Sequence, residues 1–568
     1  MLIIAAMWAL LASPPLKPLA PAAPHTVAEW EQDIDQIVDY LLILHPNPFF
    51  SVGKTAFMRS AEALKKALPA LSEEQRVVGA IRLVASIGDG HTGLVPNNPD
   101  FAYWYPIRVV EFSDGYFITT AHRSVGDLAG AQLVEIGGQP IAKVADDARS
   151  LVGIENRWAA KYALSPLVNA RLMNGLGYTM PGGNLSITAR MRDGTTVRRV
   201  LVPSASDDTL FNDPHSSTFD WDFRSEMFGP PVGAFSDWVS AYNKERASAF
   251  RDADTTRPPF LTRRRAFASR SVGRDAYYIQ TNAVGGAQSG ETFVDFFRKA
   301  ISTVDSLRPK NLIIDLRFNG GGDGSQLPPV MQELAARRRD SPWKNAYILT
   351  SGKTFSAAIM ALAGLRESMI ATVVGEPAGA GYNSYGDPVT RELTRTGLRI
   401  QVSTVYNQVG DPADISAATP VDVPAVFSFA DYVAGRDPAV DPIIRGEDMR
   451  NIALIAATDG GQAARLVYEA RKARFEKSAA WQPPEEIELR RVGQQLLEQH
   501  RSGDAVEILT LASEIHPQNW HSWYNLGNAQ MAAGLKQQAL RSYRRVLQLD
   551  PDNPNSKELT AALSASSG

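Results

Sequence analysis

From about residue 271 the chain alternates between short apolar runs of β type and amphipathic helical runs, and this alternation constrains its fold more than any other feature. "DAYYIQTN" is followed by "GETFVDFFRKAISTV", then "NLIIDLRFN", "NAYILT", "FSAAIMALAGLR" and "IATVVGE". Strands that are apolar on both faces need cover on both sides, and helices between them force crossover connections. The pattern therefore predicts βαβ units and a mostly parallel sheet. In such sheets the loops at the carboxyl ends of the strands carry the chemistry. Two loops fall there. "RFNGGGDG" follows Asp315, and "TSGKTFSAA" carries Ser356 to the start of a helix. Three glycines in a row, Gly320 to Gly322, let the backbone approach a ligand closely. Neither GxGxxG nor Gly-Lys-Ser/Thr is present, which argues against a nucleotide cradle.

At 568 residues the chain exceeds a single core, and it is read as an α/β multidomain protein. Residues 1–26 form a signal-like apolar segment and linker. Met1 to Ala12 has the length of an export-signal core and is too short to span a bilayer, although no Lys or Arg precedes it. Export to a periplasmic or extracellular location is the expectation. Residues 27–100 are an N-terminal helical segment, in which Trp30, Ile34, Ile37, Leu41 and Leu42 recur at helical spacing. That segment ends at "GDGHTGL", which leaves His91 on a loop. Residues 101–203 read as a β-rich domain with a hairpin turning at Asp193-Gly194. Residues 204–270 are an irregular insertion or linker whose Arg cluster, "RRRAF", reads as solvated surface. The αβ core spans 271–450, a helix and linker 451–483, and helical repeats 484–568.

A net charge of -3 from 58 basic and 61 acidic residues, with no long basic run, disfavours nucleic acid as a partner. The absence of cysteine excludes disulfides, thiol catalysis and Cys-ligated metal. No other stretch is long enough for an integral membrane span.

"NLIIDLRFNGGGDG" followed by "YILTSGKTFSAA" resembles the paired motifs of the serine peptidases of the C-terminal processing and tricorn-core group. "LVASIGDGHTGL" is similar to the segment that supplies the active-site His in tricorn-like members, and "LAGAQLVEIGGQPI" resembles their PDZ-like insertion. The resemblance covers roughly residues 27 to 445. It implies a PDZ-like β-rich domain, a ClpP/crotonase-like αβ peptidase core, Ser356 as nucleophile and no metal or cofactor. Where processing peptidases carry a Gly-x-x-Thr-x-Gly-Lys motif, this chain reads "GEPAGAGYN". Gly375 matches, but Ala378 replaces Thr and Gly381 replaces Lys, and Lys353 does not substitute for it. A serine–lysine dyad is thus unsupported, and the resemblance implies His91 as general base. Among the acids, Asp414 fits the third position best, with Asp411, Asp422, Glu376 and Asp89 as competitors. The oxyanion donors are expected to be the backbone N–H groups of Ala357 and of Gly320 or Gly321. Each residue also has a plainer reading: Ser356 as a helix N-cap, His91 as a packed loop histidine, the aspartates as turn residues.

The C-terminus carries Trp523, Leu526, Gly527, Ala539, Tyr543 and Pro551 at tetratricopeptide positions. A shift of 34 residues finds Leu489, Val492, Gly493, Ala505, Leu509, Ala512 and Pro517. Core packing explains all of them, and two repeats offer a small surface to a protein partner. Two functions stay open: a serine endopeptidase acting on exported or envelope polypeptides, or a non-catalytic peptidase-fold protein that binds peptides or ligands or serves as a repeat scaffold.

Overall fold

A computed structural model describes residues 24–96, 101, 103–205, 238–241, 266–286 and 290–565. The segment to residue 23, where an export signal is expected, and most of the 204–270 insertion, with most of its Arg cluster, lie outside the described residues. Two compact units result. The first comprises 1–257, 383–413 and 428–435, and the second 258–382, 414–427 and 436–568.

In the first unit, helices Val27–Leu44 and Glu73–Ala85 each start with a capping box, Thr26 with Glu29 and Ser72 with Gln75. Each box satisfies two amide groups that the first turn leaves unpaired. Trp30, Ile34, Ile37 and Leu41 form one buried stripe, packed with Val77, Ile81 and Val84 and with Leu393, Ile400 and Val402. The last three belong to a returning segment, which sequence reading placed inside the αβ core. There Arg399–Val402 pairs antiparallel with both Gly93–Val95 and Val389–Glu392. The β-rich part is antiparallel. Its hairpin pairs Leu185 with Leu201 and turns through Gly194 at φ 86°, with Ile118, Leu133, Val144 and Ile187 in its core.

The second unit is built on a six-stranded sheet. Its order is Phe267–Val272, Ala276–Thr281, Asn311–Asp315, Asn345–Thr350, Thr372–Gly375 and Val423–Pro424. The first pair is antiparallel and the rest parallel. Helices Phe293–Leu307, Leu327–Ala336 and Ala357–Met369 cover one face through Phe297, Ile301, Leu334, Leu362 and Leu365. Val440, Ile443 and Met449 cover the other. This is the doubly covered parallel sheet that the alternating pattern predicts. Three helical pairs then follow, their first helices starting at Ile452, Glu486 and Trp520, and a single helix, Pro554–Ala565, comes after them. Among the described residues no helix is long and apolar enough to cross a membrane.

Candidate active site

In the second unit, strand Asn345–Thr350 ends in a tight connection to helix Ala357–Met369, and Ser356 is its last residue. Thr354 N–H donates to Ser351 O (2.8 Å), and Thr354 Oγ1 donates to Leu316 O (2.9 Å). Ser351 Oγ donates to Arg317 O (2.6 Å), and Phe355 N–H to Asn319 O (3.1 Å). The turn is thereby tied at four points, three of them to the chain after Asp315. Ser356 itself sits at φ 56°, ψ -131°, and its side chain makes no capping hydrogen bond. The N-cap reading fails on both counts, because a cap residue is extended and its oxygen accepts from the first turn. A non-glycine residue held at positive φ costs roughly 1–3 kcal/mol and persists only when its surroundings fix it.

The glycine loop lies against this serine. A Cβ at Gly321 would stand 2.6 Å from Ser356 Cβ and 3.0 Å from Ala357 N. At Gly322 it would stand 2.0 Å from Val284 O. Only glycine permits either approach. Gly321 N–H donates to Asn319 Oδ1 (2.9 Å), so of the two glycines expected as oxyanion donors Gly321 is already committed. Among the described residues the N–H groups of Gly320 and Ala357 have no protein acceptor. Beneath the loop, the buried guanidinium of Arg317 pairs with Asp315 and Asp437, and Tyr278 Oη donates to Asp315 (2.5 Å). Two carboxylates and a phenol around one arginine satisfy a buried charge from several sides, the condition under which such a cluster holds backbone in place.

The remaining candidates separate. A Cβ at Gly381 would stand 1.9 Å from Ser416 O, so the position matching the family lysine has no room for a side chain. Asp414 accepts from Ser416 N–H (2.9 Å), and Asp411 from Ala413 N–H (2.8 Å) in the first unit. Asp422 accepts from Val373 N–H (2.7 Å) and lies 3.5 Å from Arg366. Glu376 is buried, and its backbone N–H joins Thr350 O (3.1 Å).

His91 belongs to the first unit, on the loop between helix Glu73–Ala85 and strand Gly93–Val95. Asp89 organises that loop. Its Oδ1 accepts from His91 N–H (3.0 Å), and its Oδ2 from His45 Nε2 (3.2 Å), Thr92 Oγ1 (2.5 Å) and Ser403 Oγ (2.6 Å). Asn47 N–H donates to His45 Nδ1 (3.0 Å), which leaves the His45 proton on Nε2, facing Asp89. Burial pushes the Asp89 carboxyl up, but the hydrogen bonds from His45, Ser403, Thr92 and the His91 backbone outweigh it and hold the group below its ordinary value. For His91, burial lowers the imidazole, opposed by the Asp89 charge, the Tyr385 carbonyl and Asp387, and the net shift is downward. A neutral imidazole near pH 7 is the form that can accept a proton. Oxygens of Asp89 and Glu155 and a ring nitrogen of His91 lie within 4.8 Å of one another. Asp89 is saturated by protein donors, so the cluster reads as a hydrogen-bonded carboxylate beside an imidazole. Sequence reading had no pattern that pointed to Glu155, His45 or Ser403.

This chain matches solved structures of CPAF and of a C-terminal processing protease. It shares the fold of a serine-to-alanine mutant of CPAF, at 12% identity over 72% of this chain and 95% of that one, with a TM-score of 0.50. Mature CPAF complexed with lactacystin matches at 13% identity, 72% and 96% coverage and a TM-score of 0.49. The photosystem II D1 C-terminal processing protease matches at 12% identity, 70% and 93% coverage and a TM-score of 0.31. Residues 521–553 match the tetratricopeptide repeat. No curated protein matches the sequence.

Proposed function

We propose that the chain is a serine-type endopeptidase that cleaves polypeptides through an acyl-enzyme. The observation that carries this reading is the backbone of Ser356, held at positive φ with an uncapping hydroxyl beside the glycine loop. Ser356 Oγ attacks the scissile carbonyl, and His91 accepts its proton. The N–H groups of Ala357 and Gly320 receive the developing oxyanion. His91 then protonates the leaving amine, and water, deprotonated by the same imidazole, releases the acyl group. By motif position Asp414 takes the third place. The β-rich segment is read as PDZ-like, the segment from 484 as a platform for a protein partner, and the substrates as exported or envelope polypeptides.

The non-catalytic alternative draws its support from position 381, where the family lysine is replaced by a glycine with no room for a side chain. A fluorophosphonate probe decides between the two. Labelling that maps to Ser356 and disappears in Ser356→Ala supports the peptidase. A wild-type chain that stays unlabelled while lactacystin-type and fluorophosphonate probes label a control peptidase leaves the binding reading in front.

A further inference from the structure

The loop that carries His91 faces a second carboxyl to which the proposed chemistry gives no part. Glu155 arrives from a separate stretch of the first unit, between helices Ile141–Arg149 and Arg157–Tyr162. Gly153 brings it there. A Cβ on Gly153 would stand 2.2 Å from Asp89 O and 2.6 Å from Thr92 O, so this backbone is pressed directly onto the His91 loop. Two residues on, Glu155 Oε1 accepts from Gly90 N–H (3.3 Å), and its carboxyl lies within the 4.8 Å cluster formed with Asp89 and the His91 ring.

The two carboxyls differ in what surrounds them. Asp89 has four donors on its two oxygens and is held as the anion. Glu155 has one backbone donor and no cationic partner among the described residues. A half-buried carboxylate so poorly supplied, and beside another anion, is costly to ionise. Burial first, then the Asp89 charge, push its carboxyl up to about 8, against the Gly90 N–H. The imidazole beside it is moved the opposite way, downward, by the same burial. The other groups that face His91 do not offer it a mobile proton. Asp89 and Thr92 are bonded to each other on its own loop, and His45 donates to Asp89. On the returning segment, the Tyr385 carbonyl accepts and Asp387 acts at longer range.

We propose that Glu155 is a positioning residue that titrates together with His91, its carboxylate form stabilising the imidazolium that forms when His91 takes a proton. This rests on the reading of His91 as the base. One proton distributed over the pair gives either a carboxylic acid beside a neutral imidazole or a carboxylate beside an imidazolium, with the same net charge. The two groups therefore lose their protons in two steps that belong to the pair. The state competent for serine attack is the fully deprotonated one, with His91 free to accept and Glu155 charged to support it.

Glu155→Gln is the test, because an amide imitates the neutral acid in shape and still accepts from Gly90 N–H. The acid limb of the kcat/KM profile is expected to move down by about 1 pH unit or more, since an opposite charge within 4–6 Å is removed. The plateau is expected to fall about tenfold, the rate equivalent of one such unit. The imidazole signal of His91 in selectively labelled protein gives a readout independent of turnover. In a Ser356→Ala background it should titrate about 1 unit or more lower with Glu155→Gln than without. An unchanged His91 midpoint overturns the coupling even if peptides are cleaved. A shifted midpoint in a chain that cleaves nothing sustains the coupling and removes the peptidase reading. Should Glu155→Gln not fold, the unsubstituted chain still decides: coupling requires a two-step His91 titration, and a single step refutes it.

Discussion

Ser356→Gly and Ser356→Ala, measured together, separate a strained nucleophile from a helix cap by the sign of a stability change. The positive φ of 56° is a conformation that any residue with a Cβ occupies at a cost, of about 1–3 kcal/mol. Glycine removes that cost but adds about 0.5–1 kcal/mol through the freedom its unfolded chain gains. The net expectation for Ser356→Gly is stabilisation by roughly 1 kcal/mol. Alanine keeps the Cβ and the strain, and no capping hydrogen bond exists to be lost. Ser356→Ala is therefore expected within about 0.5 kcal/mol of the parent, as for a substitution without a structural role. A capping serine gives the reverse: a loss of about 1 kcal/mol for alanine and a few tenths for glycine. Equilibrium urea unfolding, followed by tryptophan fluorescence and comparing midpoints at constant slope, reads both values. Hydrolysis should vanish in both variants. An alanine variant that is less stable than the parent by about 1 kcal/mol, with glycine no better than the parent, would refute the strain argument and restore the cap.

Single and double alanine variants of Ser356 and His91 should lose turnover by similar factors, with the double variant little worse than either, as for groups that act as one unit; additive losses on a log scale would contradict this. Gly381→Ala places a Cβ 1.9 Å from Ser416 O, so a loss of about 3 kcal/mol is expected in chemical unfolding, at the upper end of overpacking costs, and an unaltered midpoint would mean that this stretch readily moves. The Glu155 carboxyl, raised from 4.5 to about 8 by burial and the Asp89 charge, contributes stability that is complete below 4.5 and is lost as pH rises through 8. Thermal melts across that window should therefore fall more steeply in the parent than in Glu155→Gln, and parallel curves would count against a neutral, half-buried acid.

The second unit was largely legible because its information is local. Apolar runs of strand length, helical periodicity and a triple glycine lie in the order in which the sheet uses them. The motif spacing carries Asp315, Arg317 and Asn319 into the loop that meets Ser356. What stayed hidden depends on partners far along the chain. Asp33 sits on the first helix one turn from both Trp30 and Ile37, a charged residue on the apolar face, and it is fully buried. Its carboxylate accepts from the N–H groups of Arg395 and Thr396 and from Thr396 Oγ1, at 3.1, 2.8 and 2.7 Å. Periodicity states that a face is covered and is silent about what covers it. The same limit hid the return of residues 383–413 to the first unit, and with it Ser403 and the Tyr385 carbonyl. Glu155 was invisible for a further reason: its role comes from desolvation, and a lone glutamate in "GIENRW" has no pattern to betray that.

The helical layer at the C-terminus connects to the helix that follows Ser356 by a route that composition alone does not suggest. Its leading helices start at residues 452, 486, 520 and 554, a constant spacing of 34. The pair Ile452–Asp459 and Gly461–Phe475 thus occupies the place of a further repeat, ahead of the two visible in sequence. Ile455, Ala464 and Tyr468 share one core with Leu489, Val492, Leu496 and Ile508. Arg366 lies on the helix that begins after Ser356, and its guanidinium reaches both Asp422 and Glu488 of the first helix of the next repeat. Burial and the Asp422 charge push Glu488 up to about 7, against the pull of Arg366. Repeat units draw their stability from their neighbours, and here the neighbour of the first repeat is the six-stranded sheet itself. Removing residues 484–568 takes away ten of the fifteen buried residues of the shared apolar core and one of the two carboxylates at Arg366. The truncated chain should accordingly melt at lower temperature with a broader transition and bind an apolar dye. A truncation that melts as sharply and as high as the full chain would mean that the repeats are hung on the sheet without supporting it.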